Sequence, residues 1–312
     1  MERELQEALS NVHILNIAKK QEQNLKDYEA FETTFEFVIP ELQISLSNKD
    51  QSVDGVKRDS DGDFILKRER KLKRGNEISI THAQCTLIKD VGLQVWHSSL
   101  LLCELLIDQR QKLKNEDIIE LGSGVGLAGI IGGIFAKTVI CTDKGENILK
   151  LCEKNIENNK KFLKEGSTVL TKEINWEETL LELLKWDTEE RRIAEEAKYI
   201  IAADVVYNED LTNAFFRTVF QLLTIGRWNK ILYIAIEKRI NFTLNNLAVC
   251  CEAYEHFKTC LEELDGYEFI KESNDVIHDN LLPRVKFNVN QVDIKEIEVY
   301  MDYERSRFLV IC

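Results

Sequence analysis

The sequence predicts an α/β protein: a doubly wound, mostly parallel sheet preceded by a β-containing N-terminal extension. Three observations predict it. From residue 117 onward, short β-branched runs alternate with amphipathic helical stretches. A glycine-rich turn joins the first of those strands to the first helix. Upstream, residues 33–47 alternate apolar and polar side chains in part, which reads as strand rather than helix. We divide the chain into an extension, 1–86, and an α/β domain, 87–312.

Taken in order, residues 1–30 are polar with weak helical spacing and read as a loose helix or disordered segment. Residues 33–47 read as one or two strands broken at Pro40. Residues 48–63 form a polar loop. With Gly62 at the sixth position, a calcium loop would need ligands at Lys57 and Arg68, so Asp59, Asp61 and Asp63 read as a turn. Phe64–Leu66 and Ile78–Thr81 read as a hairpin around a basic segment, and Leu87–Leu106 as a helix. Strands follow at Asp117–Leu121, Thr138–Thr142, Thr168–Ile174, Tyr199–Ala203 and Lys230–Ile236. Helices follow them at Leu127–Phe135, Glu146–Lys160, Glu177–Ala197, Leu211–Leu223 and about Thr243–Leu264. Such alternation implies right-handed crossovers and a parallel sheet. Tyr267–Lys271 and Arg307–Ile311 are strands without a clear helix between them, which suggests an antiparallel edge hairpin. The chain shows no internal repeat.

Composition narrows the class of protein. Only 2 prolines and 14 glycines argue against long low-complexity stretches. No apolar run approaches the roughly 18 residues of a membrane span, and the first 21 residues lack the apolar centre of a secretory signal. The expected location is nuclear and cytoplasmic. The 8 cysteines contain no CxxC pair and read as reduced core residues. Cys251, His256 and Cys260 lack a second ligand pair at zinc spacing and read as packing, so no metal is expected. A net charge of -13 repels nucleic acid and attracts basic partners. Lys67, Arg68, Arg70, Lys71, Lys73 and Arg74 run against that field. They read equally as an import signal or acidic-partner contact, or as a solvated hairpin edge.

The chemistry begins at Glu120-Leu121-Gly122-Ser123-Gly124-Val125-Gly126. The glycines let the chain turn tightly and bring backbone N–H groups to a ligand. A dinucleotide fingerprint needs its third glycine at position 127, which is Leu127. Asp143 closes the next strand, where an acid can accept hydrogen bonds from both ribose hydroxyls; its bland alternative is a helix cap. Together the loop and the acid point to a nucleoside ligand. Trp176, after Asn175 at the end of the third strand, is either an adenine-stacking indole or a core residue. Ala203-Asp204-Val205-Val206-Tyr207 ends the fourth strand. There Asp204 can hold an amine and Tyr207 can flank a cation, with helix capping as the alternative and Asp210 as the better cap.

These motifs resemble motif I and post-I of the class I S-adenosylmethionine-dependent methyltransferases. With Gly92-Leu93-Gln94-Val95-Trp96 and the D-V-V-Y element, the chain resembles the family 16 protein methyltransferases, whose members mostly modify lysine. The resemblance implies a seven-stranded sheet whose last strand pair is antiparallel. It implies S-adenosylmethionine as cofactor, S-adenosylhomocysteine as product and no metal. Trp96, Glu120, Gly122, Ser123, Gly124, Asp143, Trp176 and Ala203 would bind the cofactor, with Asp204 and Tyr207 beside the substrate amine. Many relatives carry an acid where Asn175 stands. Base-amino methyltransferases carry two prolines where Val205 and Val206 stand, which argues against a nucleobase substrate. Glu237-Lys238-Arg239 ends the fifth strand, and Arg239 reads equally as a substrate contact or a structural ion pair. The expected partner is a basic segment of a protein, such as a nuclear nucleic-acid-binding one. Direct nucleic-acid or membrane binding is not expected, and the chain is expected to be a monomer. A small-molecule or nucleic-acid methyltransferase of the same fold, and a non-catalytic scaffold, are the alternatives.

Overall fold

The computed structural model describes residues 7–9, 19–21, 28–40, 42, 75–226, 229–238, 241–243, 248–270, 284–303, 305 and 309–311. The basic run 67–74, the polar loop 48–63, Phe64–Leu66 and Arg239 lie outside them.

The N-terminal extension is built of strands. β1 (Glu7–Leu9) pairs with β5 (Cys85–Leu87), and β2 (Lys19–Gln21) lies beside β3 (Ala30–Phe37). The polar residues 1–30, read as loose helix or disordered, therefore contribute two short strands. β3 ends before Pro40, as its missing N–H requires, and pairs antiparallel with β4 (Asn76–Ala83) along its whole length. Ile78–Thr81 thus pairs with β3 on one side, while Phe64–Leu66, its expected hairpin partner, lies outside the described residues. Alternation puts Phe35, Phe37, Ile78 and Ile80 on one buried face.

Residues 88–93, read as the start of a long helix, form a separate 3-10 turn. The chain then runs extended through Gln94–Trp96 into α1 (His97–Asp108). Gly92 at the turn, a poor helix former, marks the break. Ile88–Asp108 has the length and hydropathy of a membrane span, but 78% of that window is buried in the protein's own core.

The main sheet follows the predicted alternation. Its members are β6 (Asp117–Leu121), α2 (Leu127–Gly133), β7 (Thr138–Asp143), α3 (Glu146–Asn159) and β8 (Thr168–Glu173). The helix expected over Glu177–Ala197 is two, α4 (Thr179–Lys185) and α5 (Thr188–Glu196). Asp187 ends the first by capping the second, its carboxylate accepting from the Glu190 N–H at 2.8 Å. β9 (Tyr199–Ala203), α6 (Glu209–Thr224) and β10 (Ile231–Glu237) complete the alternation. Asn208, rather than Asp210, caps α6, accepting from the Leu211 N–H at 2.9 Å.

The tail departs further. The long helix expected from Thr243 begins only at α7 (Glu252–Leu264), after a pair formed by β11 (Asn241–Thr243) and β12 (Ala248–Cys250). β13 (Glu268–Ile270) pairs with β14 (Arg284–Lys286), and β15 (Leu309–Ile311) pairs antiparallel with β10. Thus the two last predicted strands do not form a hairpin with each other. Among the described residues the main sheet has 6 strands, in the order β15-β10-β9-β6-β7-β8, where seven were expected. Five are parallel and β15 is antiparallel.

Successive side chains point to opposite faces. Ile118, Tyr199 and Ile201 enter one core with α1, α2, α3 and the β3–β4 hairpin. Ile119, Leu121, Ile200 and Ala202 enter the other, with α4 to α7. The N-terminal hairpin therefore shares a core with the α/β sheet.

A buried carboxylate fastens the C-terminal segment to this assembly. Glu104 on α1 is fully buried. It accepts from the Tyr300 and Met301 N–H groups at 2.9 and 3.3 Å, the Tyr303 hydroxyl at 2.8 Å and Arg305 Nε at 2.9 Å. Arg305 in turn donates to the carbonyls of Ile294, Ile297 and Glu298. Removing one partner of a buried pair strands the other charge. Arg305→Met should lower the unfolding free energy by about 3 kcal/mol, read from urea denaturation. A loss near that of a surface pair would show that the remaining donors hold Glu104 unaided.

Candidate functional site

β6 and β9 are neighbours, but the chain leaves β6 toward β7 on the other side. This is the switch point at which open α/β sheets bind ligands. A cleft of about 360 Å³ lies there.

The loop from β6 to α2 forms its floor. Gly122, Gly124 and Gly126 all have positive φ, at 70°, 51° and 86°. L side chains rarely adopt such angles. Space excludes them too: a Cβ at Gly122 would lie 2.8 Å from Val205, and one at Gly124 would lie 2.9 Å from the Gly92 carbonyl. The hydroxyl of Ser123, the loop's polar side chain, has no protein partner with which to fix it. Ser123 N–H donates to the Thr142 carbonyl at 2.9 Å. Asp143 accepts from Gly124 N–H and Lys144 N–H, each at 2.7 Å. Burial raises the Asp143 carboxyl to about 6, against the pull of those two N–H groups.

Trp96, Glu120, Gly122, Ser123, Gly124, Asp143, Trp176, Ala203 and Tyr207 all line the cleft, so the structure brings nine of the ten predicted site residues together. The tenth, Asp204, is not among the lining residues. It sits one step behind Ala203, 3% exposed, with its N–H bonded to the Ala235 carbonyl at 2.8 Å. Its φ is +56°, a left-handed conformation uncommon outside glycine. Strain of this kind is most often kept where function over-determines the backbone.

The indole of Trp176 meets Phe215 edge-on at 5.3 Å and leaves its buried Nε1 without a protein partner. Ser123 Oγ is also buried and unpartnered. Trp96 Nε1 donates to the Val91 carbonyl at 3.3 Å, which holds its ring at the cleft wall. Glu120 is buried with Oε2 unpartnered. Desolvation raises its carboxyl to about 8, opposed by a hydrogen bond from Cys141 and reinforced by the charge of Asp143.

Sequence reasoning missed three contributors. The 3-10 turn supplies Ile88, Lys89 and Val91 to the cleft wall, hidden by reading it as helix. His97 Nδ1 lies 3.7 Å from Glu237 Oε1, tying the start of α1 to the end of β10 with both side chains about nine-tenths buried. His97 carried no motif that marked it. Asn155 reaches the loop from α3, donating to the Val125 carbonyl at 3.0 Å. The thiol and imidazole of α7 find local partners: His256 Nε2 bonds Asn213 Oδ1 at 2.9 Å, and Cys260 lies 3.7 Å from the same nitrogen. No group of three candidate metal ligands occurs among the described residues.

Comparison with known proteins places this geometry in a family. A family described as lysine methyltransferase matches residues 74–250. Methyltransferase-like protein 22 of Homo sapiens is 35% identical over 210 residues, which is 65% of this chain and 52% of that protein. Protein N-lysine methyltransferase METTL21A of Xenopus tropicalis is 28% identical over 133 residues, or 42% of this chain and 55% of that one. The chain thus spans about half the length of the curated relatives it matches. Among solved structures, the O-methyltransferase from Bacillus cereus in complex with SAH covers 54% of this chain and 67% of that chain. Its 14% identity and TM-score of 0.36 carry nothing about residue roles.

The raised Glu120 carboxyl has a testable sign. Between about 4.5 and about 8 the unfolded chain is ionised at this position while the folded chain holds its proton. Stability contributed by the neutral acid is therefore lost as pH rises through that window. Glu120→Gln should flatten the fall in Tm between about pH 5 and about pH 8, measured by thermal melts across pH. An unchanged slope would remove Glu120 as its source.

Proposed function

Because the chain belongs to the lysine methyltransferase family, we propose that it binds S-adenosylmethionine in the cleft and methylates a lysine side chain of a protein. The observation that carries this reading is the shared cleft. A glycine floor pinned by Asp143 lies opposite a wall where Tyr207 sits three residues beyond the strained Asp204.

The residues present fit the cofactor. Positive φ at Gly122 and Gly124 turns the chain so that these residues line the cleft. Ser123 Oγ and Trp176 Nε1, buried without protein partners, suit the polar edge of a nucleoside. Asp143 keeps lone pairs beyond the two already used and accepts from ribose hydroxyls. Bound there, S-adenosylmethionine supplies an electrophilic methyl group on a sulfonium sulfur. The chain's own part is positional: the neutral amine must be held in line, out of water. In this reading Asp204 orients the neutral amine and Tyr207 flanks the cation that the amine becomes on taking the methyl group. Relatives whose names state protein-lysine methylation support lysine as the acceptor.

The same proposal covers substrate and setting. The substrate is a basic segment, drawn by the net charge of -13. The protein acts as a monomer in nucleus and cytoplasm, with the basic run 67–74 supporting nuclear entry. Residues 87–312 form the catalytic domain; the core shared with β3 and β4 argues that the hairpin folds with it.

Transfer of labelled methyl from S-adenosylmethionine to cell extract tests the activity. Label should be lost on protease treatment and survive nuclease. Survival of the label under protease would move the reading to small molecules or nucleic acid. Asp204→Ala should reduce transfer at least about a hundredfold with S-adenosylhomocysteine still bound; full turnover would remove Asp204 from the site. Cofactor affinity, measured by calorimetry, should fall as pH drops through about 6, where Asp143 gains a proton and loses its charge and part of its acceptor capacity. Asp143→Asn should bind weakly at every pH, and a pH-independent wild type would exclude Asp143 as the ribose acceptor.

A further inference from the structure

α3 lies between the N-terminal hairpin and the glycine loop. Asn155 and Asn159 stand four residues apart on it, on one face, and both are buried. Each amide acts as one more strand residue against β4. Asn155 Oδ1 accepts from the Thr81 N–H at 2.9 Å, and its Nδ2 donates to the Thr81 carbonyl at 3.0 Å. Asn159 repeats the pattern at Ser79, accepting at 3.1 Å and donating at 2.7 Å.

The two differ in one bond. A primary amide has two N–H donors. The second donor of Asn159 goes to the Asn155 carbonyl, within its own helix, at 2.8 Å. The second donor of Asn155 goes to the carbonyl of Val125, a residue of the glycine loop that lines the cleft. One buried amide therefore fixes both the hairpin and the loop. An aspartate of the same shape would present oxygen to two carbonyls instead.

A second connection runs along the chain. β4 leads through β5 into the 3-10 turn, which lays the Gly92 carbonyl against Gly124 so closely that no Cβ fits between them. A shift of the hairpin relative to α3 thus displaces the loop from two sides. No residue of β3 or β4 lines the cleft.

We propose that Asn155 is a positioning residue for the cofactor, through which the N-terminal hairpin forms part of the cofactor site without touching the ligand. The inference rests on the cofactor reading given above. Coupling between two sites is reciprocal, so ligand in the cleft tightens the hairpin and a loosened hairpin weakens the ligand.

Hydrogen exchange on the full wild-type chain, with and without saturating S-adenosylhomocysteine, tests the first direction. The Ser79 and Thr81 amides should exchange about tenfold more slowly with ligand. Binding with unchanged exchange in β4 would overturn the inference. Absence of binding by the wild type would overturn the cofactor reading and this inference with it. The second direction compares Asn155→Ala with Asn159→Ala. Both lose the hairpin bonds and should lower Tm alike. Only Asn155→Ala should raise the cofactor KM, by about tenfold for one lost buried hydrogen bond, with the protein-substrate KM unchanged. Asn159→Ala should keep the cofactor KM within about twofold. Equal rises in both variants would reduce Asn155 to a structural role. Should Asn155→Ala not fold, the exchange measurement on the wild type decides the matter.

Discussion

A loop built on three alternating glycines must be held largely from outside, and that constraint organises this protein. Gly122, Gly124 and Gly126 hold left-handed angles. Within the loop a backbone bond runs from the Gly126 N–H to the Ser123 carbonyl at 2.8 Å, and the other supports come from outside. Asp143 takes the Gly124 N–H, the end of β7 takes Ser123, Asn155 takes the Val125 carbonyl, and Gly92 abuts Gly124. These supports come from β7, α3 and the turn after β5, so elements far apart in sequence must all be in place before the floor of the cleft exists.

What was legible in the sequence follows from the range of each interaction. The alternation of β6 to β10 with their helices was readable because side-chain periodicity is local. Partner choice is not local. β4 carries a strand pattern, but nothing local in it says that it pairs with β3 along its whole length. Likewise β13 and β15 each read as strands, yet β13 takes β14 and β15 takes β10. Breaks were missed where an apolar pattern continued across them. The split between α4 and α5 is marked by Asp187 and Glu190, a capping pair that the surrounding charge obscured.

The site divides the same way. Glycines and the acid at the end of the next strand form a motif because the ligand demands them at fixed spacing. Trp176 was recognisable by its place at a strand end, and Trp96 through the Gly92-to-Trp96 pattern of the family it resembles. Asn155 and the His97–Glu237 pair were not, since each works through partners 30 to 140 positions away. Asp204 shows a subtler limit: its position was readable, but its left-handed backbone was not, as nothing in Ala203-Asp204-Val205 requires it.

The Glu104 clasp sets an order on assembly. Its donors lie 196 to 201 residues downstream. During synthesis α1 emerges long before Tyr300 and Arg305, carrying a carboxylate that cannot enter an apolar core alone without a large desolvation cost. Contacts of such separation slow folding through loop-closure entropy. Closing that long loop is the step on which the final seating of α1, and of the strands that pack on the same core, depends.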